Sequence, residues 1–184
     1  MATASFDIDY TDPRDRLSSG LRVFYAIPHL IIVGALSYVA QAVAVIQWFI
    51  ILFTGQRNQS LWNLSRGVLD WQARAYTYVG LMYDAYPNFG FEKKDEPVQF
   101  SLVYEESADR LTNALRLIWA IPALIITAGL AIAGMVVTLI CWCAIVFTGT
   151  QPRGMFDFLL KAHRYSVRTG AYTSLLTDAY PKYE

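Results

Sequence analysis

The 31 residues from Val23 to Phe53 read VFYAIPHLIIVGALSYVAQAVAVIQWFIILF and contain no Asp, Glu, Lys or Arg. A second uncharged run of 31 residues, from Leu117 to Phe147, reads LIWAIPALIITAGLAIAGMVVTLICWCAIVF. About 20 helical residues cross the hydrocarbon core of a bilayer. A soluble chain of 184 residues has too little interior to bury two such runs. The runs therefore predict an all-α integral membrane protein.

The two runs belong to a tandem duplication with a period of 94 residues. Shifting the chain by that period aligns Phe6–Gly90 with Phe100–Glu184 without a gap, and 28 of 85 positions are identical. A fixed period indicates that each copy is one structural unit. We expect a first repeat at 1–90, a linker at 91–99 and a second repeat at 100–184. The identical positions that we interpret as structural repeat motifs are Arg22, Pro28, Gly55, Arg74, Asp84, Tyr86, Pro87, Arg116, Pro122, Gly149, Arg168, Asp178, Tyr180 and Pro181.

Each run is too long for one upright crossing of a bilayer and too short for two, so two arrangements stay open. Either the run is one long, tilted helix, or it is a helical hairpin that enters and leaves on the same side. One crossing per copy would divide the 15 Lys and Arg residues eight against seven, whereas hairpins place all 15 on one side. The positive-inside tendency would make that side cytoplasmic. The charge distribution therefore favours the hairpin.

A short alternation of apolar and polar residues leads into each repeat. FDIDY at Phe6–Tyr10 and, more loosely, FSLVY at Phe100–Tyr104 have the alternation that is typical of half-buried strands. Because a lone short strand is unstable, we expect these β-strand lead-ins to pair, which requires that they lie on the same side of the membrane. Their pairing would also suit the hairpin.

A second helix is predicted in each repeat, at 61–83 and 155–177, and both carry charges along one face. The first face holds Arg66, Asp70 and Arg74, and the second holds Asp157, Lys161, Arg164 and Arg168. A charged stripe is too costly for a lipid-facing span. We therefore predict interfacial amphipathic helices, with their aromatic residues among the acyl chains and their arginines at the phosphates.

Glycine and proline mark the predicted ends of these helices. Gly55 and Gly149 follow the membrane runs, where glycine accepts the left-handed conformation of a helix C-cap. The sequence DAYP closes both copies, at Asp84–Pro87 and Asp178–Pro181. Proline disfavours helical conformation in the residue before it, so we expect DAYP to end the amphipathic helix.

Asp84 and Asp178 are the candidates for chemistry because the duplication repeats them. They could form a pair of acids in one active site across a two-fold axis. The structural interpretation, which we favour, is that each binds backbone amides or an arginine of its own repeat, namely Arg22 or Arg74 in the first copy and Arg116 or Arg168 in the second. No Ser, Cys or His constellation accompanies the acids, so we expect no enzyme, no catalytic residue and no cofactor. Cys141 and Cys143 lack partner spacing for a metal site.

The two copies share the segments RLSSGLRVFYAIPHLIIV and RLTNALRLIWAIPALIIT, followed by WFIILFTG and WCAIVFTG. These segments resemble a bacterial membrane family called domain of unknown function 4389. TQPRGMFDF and LLTDAYPKY complete the match in the second copy, whereas the first copy has QRNQSLWNL in place of TQPRGMFDF. The resemblance covers nearly the whole chain, once per repeat. It implies membrane location and supplies no activity, cofactor or substrate.

These observations predict a multi-pass protein of the bacterial inner membrane with cytoplasmic termini. We expect a non-catalytic scaffold or accessory subunit of a membrane assembly, which could also shape the bilayer. Its partners would be lipid and other membrane subunits or further copies of itself, while a net charge of zero gives no case for nucleic acid. The alternatives are a small pseudo-symmetric transporter or channel acting as an oligomer, and a lipid-modifying enzyme using Asp84 or Asp178.

Overall fold

The fold was obtained as a computed structural model that describes residues 3–91 and 97–183. Within them the chain forms β1 (Ser5–Ile8), α1 (Arg16–Thr54), α2 (Gln59–Val79), β2 (Val98–Ser101), α3 (Arg110–Thr148) and α4 (Arg153–Thr173). Each repeat contributes a strand, a long helix and a shorter helix in the same order, which confirms the tandem duplication. Residues 92–96 of the predicted linker lie outside the described residues.

Each uncharged run lies within one unbroken helix. α1 and α3 are both 39 residues long, or about 58 Å at 1.5 Å per residue. The hairpin favoured by the charge distribution is therefore wrong. The middle of each run, GALSYVA at 34–40 and AGLAIAG at 128–134, contains small residues but no Pro, Asn or Asp to initiate a turn, so the backbone stays helical. Pro28 and Pro122 lie inside the helices at exposed positions.

Side chains and glycines define the ends of the long helices. The Asp15 carboxylate accepts a hydrogen bond from the Leu17 N–H at the start of α1, and Asp109 caps α3 in the same way. Hydrogen bonds from Thr112 and from the Leu111 N–H lower the pKa of Asp109. At the other ends, Gly55 and Gly149 adopt left-handed conformations, with φ of 76° and 78°. A side chain would be strained there, which is why glycine ends both helices.

α2 and α4 pack along α1 and α3. On α2, the Trp71 indole donates a hydrogen bond to His29 Nδ1 over 3.1 Å, and Gln72 donates to the Ser37 hydroxyl over 2.5 Å. The expected position of the α2 arginines at the phosphates is wrong for Arg74, which is buried together with Asp70.

Arg74 is buried because its guanidinium donates hydrogen bonds to backbone carbonyls of the loop that follows DAYP. It donates to the Asn88 and Gly90 carbonyls over 3.1 and 2.6 Å. Arg168 donates to the Lys182 carbonyl, 94 residues after Asn88, over 2.8 Å. On α4 the stripe is partly outside, since Asp157 and Lys161 are exposed.

The two strands form an antiparallel ribbon, as the paired lead-ins predicted. Phe6 faces Phe100, and Ser5 faces Ser101. Phe6 and Phe100 are equivalent residues of the two repeats, so a pseudo-two-fold axis passes between them. The strands start one and two residues earlier than the motifs that predicted them.

The same axis relates the long helices, which are antiparallel. The Arg14 N–H donates to the Gly149 carbonyl, and the equivalent Ala108 N–H donates to the Gly55 carbonyl, both over 2.9 Å. The start of α1 therefore lies beside the end of α3, and the reverse holds at the other end. The axis lies halfway along both helices.

α1 and α3 are long and apolar enough to span a membrane. In the most apolar 18-residue stretch of each helix, only 22% of the residues of α1 and 11% of those of α3 are buried inside the protein. A core helix of a soluble protein would be mostly buried, whereas these helices present apolar side chains on most of their circumference.

Candidate functional site

The two repeats share one arrangement of polar side chains, in which two arginines lie close to an aspartate. It occurs at both ends of the α1–α3 pair. We call Arg14, Arg22 and Asp84 the first arginine cluster. Arg57, Arg116 and Asp178 form the second arginine cluster. Both clusters lie where a long helix begins and where the DAYP segment of the same repeat returns to it.

In the first arginine cluster, Arg22 joins α1 to the DAYP segment. Its Nη1 donates to the Tyr83 carbonyl over 2.6 Å, and its Nη2 binds Asp84 Oδ1 at 2.5 Å. The other carboxylate oxygen accepts the Asp15 N–H over 3.1 Å. The Arg22 guanidinium also lies over the Tyr78 ring, 4.7 Å from its centroid. Asp84 therefore holds together the start of α1 and the segment after α2.

Arg14 supplies the second cation of this cluster. Its Nη2 donates to the Met82 carbonyl over 2.6 Å and to the Gln151 side chain of the other repeat over 3.0 Å. Burial lowers the pKa of Arg14, and the nearby Asp84 carboxylate opposes that shift.

The second arginine cluster repeats this arrangement. Arg116 Nη1 donates to the Thr177 carbonyl over 2.8 Å, and Arg116 forms an ion pair with Asp178. The Asp109 N–H donates to the second carboxylate oxygen over 3.0 Å. Arg57 Nη2 also binds Asp178, at 2.6 Å. Two buried arginines therefore share one carboxylate.

The second arginine of each cluster comes from a different place in the repeat. In the second cluster it is Arg57, which crosses from the first repeat, while the equivalent position in the second repeat is Gln151. In the first cluster it is Arg14, whose equivalent is Ala108. The duplication indicates neither arginine, because the repeats share neither position. The exchange of Arg for Gln between positions 57 and 151 was the available signal.

The two aspartates do not form one active site. Asp84 lies at the start of α1 and Asp178 at the start of α3. These ends are separated by most of the length of a 39-residue helix. A joint acid pair is therefore wrong, and each aspartate binds a backbone amide and an arginine of its own repeat. The additional partner of Asp178 is Arg57 of the first repeat.

DAYP closes each unit but does not end the helix before it. α2 ends at Val79, before Leu81 adopts a left-handed φ of 60°, and Leu175 does the same after α4 with φ of 63°. The Leu81 and Met82 amides then bond back to the Tyr78 and Thr77 carbonyls. This is a Schellman turn with leucine in the position that glycine usually holds. Leu81 is buried, and that burial offsets the strain of the left-handed conformation.

The remaining DAYP residues pack against their own repeat. The Tyr86 hydroxyl donates to the Tyr25 carbonyl over 3.2 Å, and Tyr180 lies edge-on to Tyr172 with ring centroids 5.6 Å apart. Pro87 and Pro181 are buried. The motif therefore fixes the chain to the first turns of the long helix.

The cluster arginines are directed at carbonyl oxygens and carboxylates of the chain itself. Across residues 3–91 and 97–183, no group of three or more His, Cys, Asp or Glu side chains is placed to hold a metal ion.

Comparison with known proteins agrees with the duplication. The family model described as Domain of unknown function (DUF4389) matches residues 16–91 and again residues 110–183. No curated protein and no solved structure matches the chain. The two matched segments begin at the first residue of α1 and of α3. The chain belongs to the DUF4389 family and carries one copy of the domain in each repeat.

Proposed function

We propose that the protein is embedded in the bacterial cytoplasmic membrane through α1 and α3 and acts as a non-catalytic scaffold or accessory subunit of a membrane assembly. One observation carries this proposal: large apolar side chains are exposed along both long helices, while Arg22, Arg57 and Arg116 are buried and paired with Asp84 or Asp178. In water such a surface would drive aggregation. In lipid it needs no cover.

The arginine clusters support a scaffold role. Each fixes the DAYP segment to the start of a long helix, and the second cluster also joins the two repeats through Arg57. Separating the partners of an ion pair that contains a buried guanidinium leaves an uncompensated charge. Each ion pair therefore favours one geometry. A rigid frame with an apolar exterior is suited to hold other membrane subunits, or further copies of itself, in the lipid.

A small transporter is the second candidate, because inverted repeats about a two-fold axis occur in many transporters. α2 and α4 are closely packed beside the axis, since a Cβ on Gly170 of α4 would lie 2.7 Å from Leu69 Cδ1 of α2. Gln47, one of two amides in the first run, accepts the Asn58 N–H over 3.3 Å. Solute flux in proteoliposomes that is lost on changing Gln41 and Gln47 to alanine would favour transport.

Membrane fractionation tests the embedding. We expect the protein to stay with membranes after alkaline carbonate and to be released only by detergent. Ile31→Lys, on the exterior of α1, should lower the amount of protein in the membrane fraction, because lipid does not solvate the ammonium group.

Val103→Lys is the matched control, because Val103 is equally exposed but lies outside the long helices. It should leave the membrane fraction unchanged. Release of the unmodified protein by carbonate, or equal effects of the two lysines, would contradict the proposal.

A further inference from the structure

We infer that α1 and α3 lie flat within one leaflet of the bilayer, with the pseudo-two-fold axis along the membrane normal, so that the protein does not cross the membrane. The inference rests on the proposed embedding and specifies its geometry. The occupant of the exposed face of the α1–α3 pair is then the acyl region of a single leaflet.

Three antiparallel pairs are stacked along the axis. A two-fold axis that exchanges two antiparallel helices runs perpendicular to the plane that contains them. This holds for α1 with α3 and for α2 with α4, which contact each other through Leu69 and Gly170 and through Gly80 and His163. The ribbon is the third pair, with the axis between Phe6 and Phe100.

The α2–α4 pair is the middle layer. On α2, Trp71 contacts His29 of α1, while Arg66 lies over the Phe100 ring of the ribbon, 5.8 Å from its centroid. On α4, Thr169 bonds Thr127 of α3, while Arg164 donates to the Phe6 carbonyl. In both helices the two contacting residues are five apart, which is about 140° around a helix. The ribbon and the α1–α3 pair therefore lie on opposite sides of this layer.

The outer face of the α1–α3 layer is apolar along its length. Four residues of α1, spaced seven apart on the side away from buried Val33, are between 58% and 75% exposed: Phe24, Ile31, Tyr38 and Val45. The equivalent residues of α3 are between 63% and 67% exposed: Ile118, Ile125, Ile132 and Leu139. We call these eight side chains the outer stripe. The same face is thus apolar in both repeats.

The opposite end of the stack is polar. The ribbon turns Ser5, Asp7, Gln99 and Ser101 outwards. Asp7 binds Arg164 at 2.8 Å, and its side chain is 57% exposed. The molecule is therefore amphipathic along its axis, with lipid-compatible and water-compatible faces on opposite sides.

A spanning orientation conflicts with this distribution. The axis lies halfway along α1 and α3, so upright helices would place the ribbon at the centre of the bilayer. The exposed Asp7 and the Lys161 of α4, which is also exposed, would then meet hydrocarbon. An ionised side chain at that depth costs about 3 kcal/mol or more. Flat insertion removes this conflict because the ribbon faces water.

The dimensions suit a single leaflet. A helix with side chains is about 10 Å thick, and half of the hydrocarbon core is about 15 Å. The uncharged runs are too long for one upright crossing, but bilayer thickness does not limit their length when they lie in the plane of the membrane. Among the described residues, both copies also place their Lys and Arg on the same side of the membrane, as the charge distribution favoured. Volume added to one leaflet only would expand that leaflet and bend the bilayer.

A mass-tagging experiment in sealed vesicles distinguishes the two orientations. Gln56 and Thr150 are exposed, equivalent residues at opposite ends of the α1–α3 pair. We would make Gln56→Cys with Thr150→Cys in a Cys141→Ala, Cys143→Ala background. The protein would be reconstituted in vesicles of phosphatidylethanolamine and phosphatidylglycerol and treated with a membrane-impermeant polyethylene glycol maleimide. The number of tags per molecule is read on a gel.

Flat insertion predicts molecules with two tags or none, whichever way each molecule faces. A spanning protein would give molecules with one tag, which would overturn the inference and leave the membrane proposal intact. Release by carbonate before tagging would instead refute the embedding and indicate that the outer stripe is covered by a second copy. The control variant Ser5→Cys with Gln99→Cys, on the ribbon, should also give two tags or none if the protein lies flat. Lysed vesicles should give two tags in every variant.

Discussion

Neutralising Asp178 should destabilise the protein more than neutralising the equivalent Asp84. The Asp178 side chain is 6% exposed and lies between Arg57 and Arg116, which are themselves buried. Asp178→Asn leaves two buried guanidinium groups facing each other without a counter-ion. Loss of one partner from a buried ion pair costs about 3–5 kcal/mol, and we expect a loss in this range.

Asp84→Asn is the matched change in the first repeat. Its side chain is 29% exposed and binds Arg22. Water screens part of the remaining charge, so we expect a loss of about 1–3 kcal/mol. The difference of about 2 kcal/mol corresponds to a difference of about 4–8 °C in Tm for a chain of this size.

The assay is thermal unfolding of the purified protein in a mild detergent, followed by intrinsic tryptophan fluorescence. Arg57→Gln introduces the residue that the second repeat holds at the equivalent position. Combined with Asp178→Asn, it should recover part of the lost stability because one uncompensated cation is removed. Equal Tm shifts for the two aspartate variants, or additive effects of Arg57→Gln and Asp178→Asn, would refute the reasoning.

Two further predictions concern the packing at the axis and between the long helices. Gly170→Ala should lower stability by about 1–3 kcal/mol, because the new Cβ would lie 2.7 Å from the buried Leu69. The control is Gly154→Ala, in open space on the same helix, which should be neutral or stabilising. Equal Tm shifts for the two variants would contradict the close contact. Asn113→Ala should also lower stability by about 1–3 kcal/mol. The Asn113 Nδ2 group donates a hydrogen bond to the Trp48 carbonyl over 3.0 Å, at a buried position between α1 and α3. An unchanged Tm would show that this bond does not join the two helices.

The periodic features of the fold could be predicted from the sequence. The 94-residue repeat, the uncharged runs and the alternating lead-ins indicated the number and order of the elements, and Gly55 and Gly149 indicated two helix ends. The arrangement of α1 was not predictable from charge. A run of small and apolar residues without a turn former stays helical, while the pairing of the strands is satisfied by antiparallel helices as well as by hairpins.

The orientation of α2 and the composition of the arginine clusters required the structure. Helical spacing shows that Asp70 and Arg74 share a face, but not that the loop after DAYP covers that face. Leu81 could not be identified as a left-handed residue, because its energy depends on the burial of its side chain. Arg14 and Arg57 occupy positions that the repeats do not share, so the duplication itself concealed them.

The depth of the outer stripe in the bilayer is the most direct test of flat insertion. Spin labels at cysteines replacing Phe24, Ile31, Tyr38 and Val45, one at a time in the cysteine-free background, report depth through their relative exposure to oxygen and to a water-soluble nickel complex. Flat insertion predicts the same depth at all four positions. An upright helix would change depth by about 10 Å between successive labels, and a profile that deepens to the centre and rises again would contradict insertion in one leaflet.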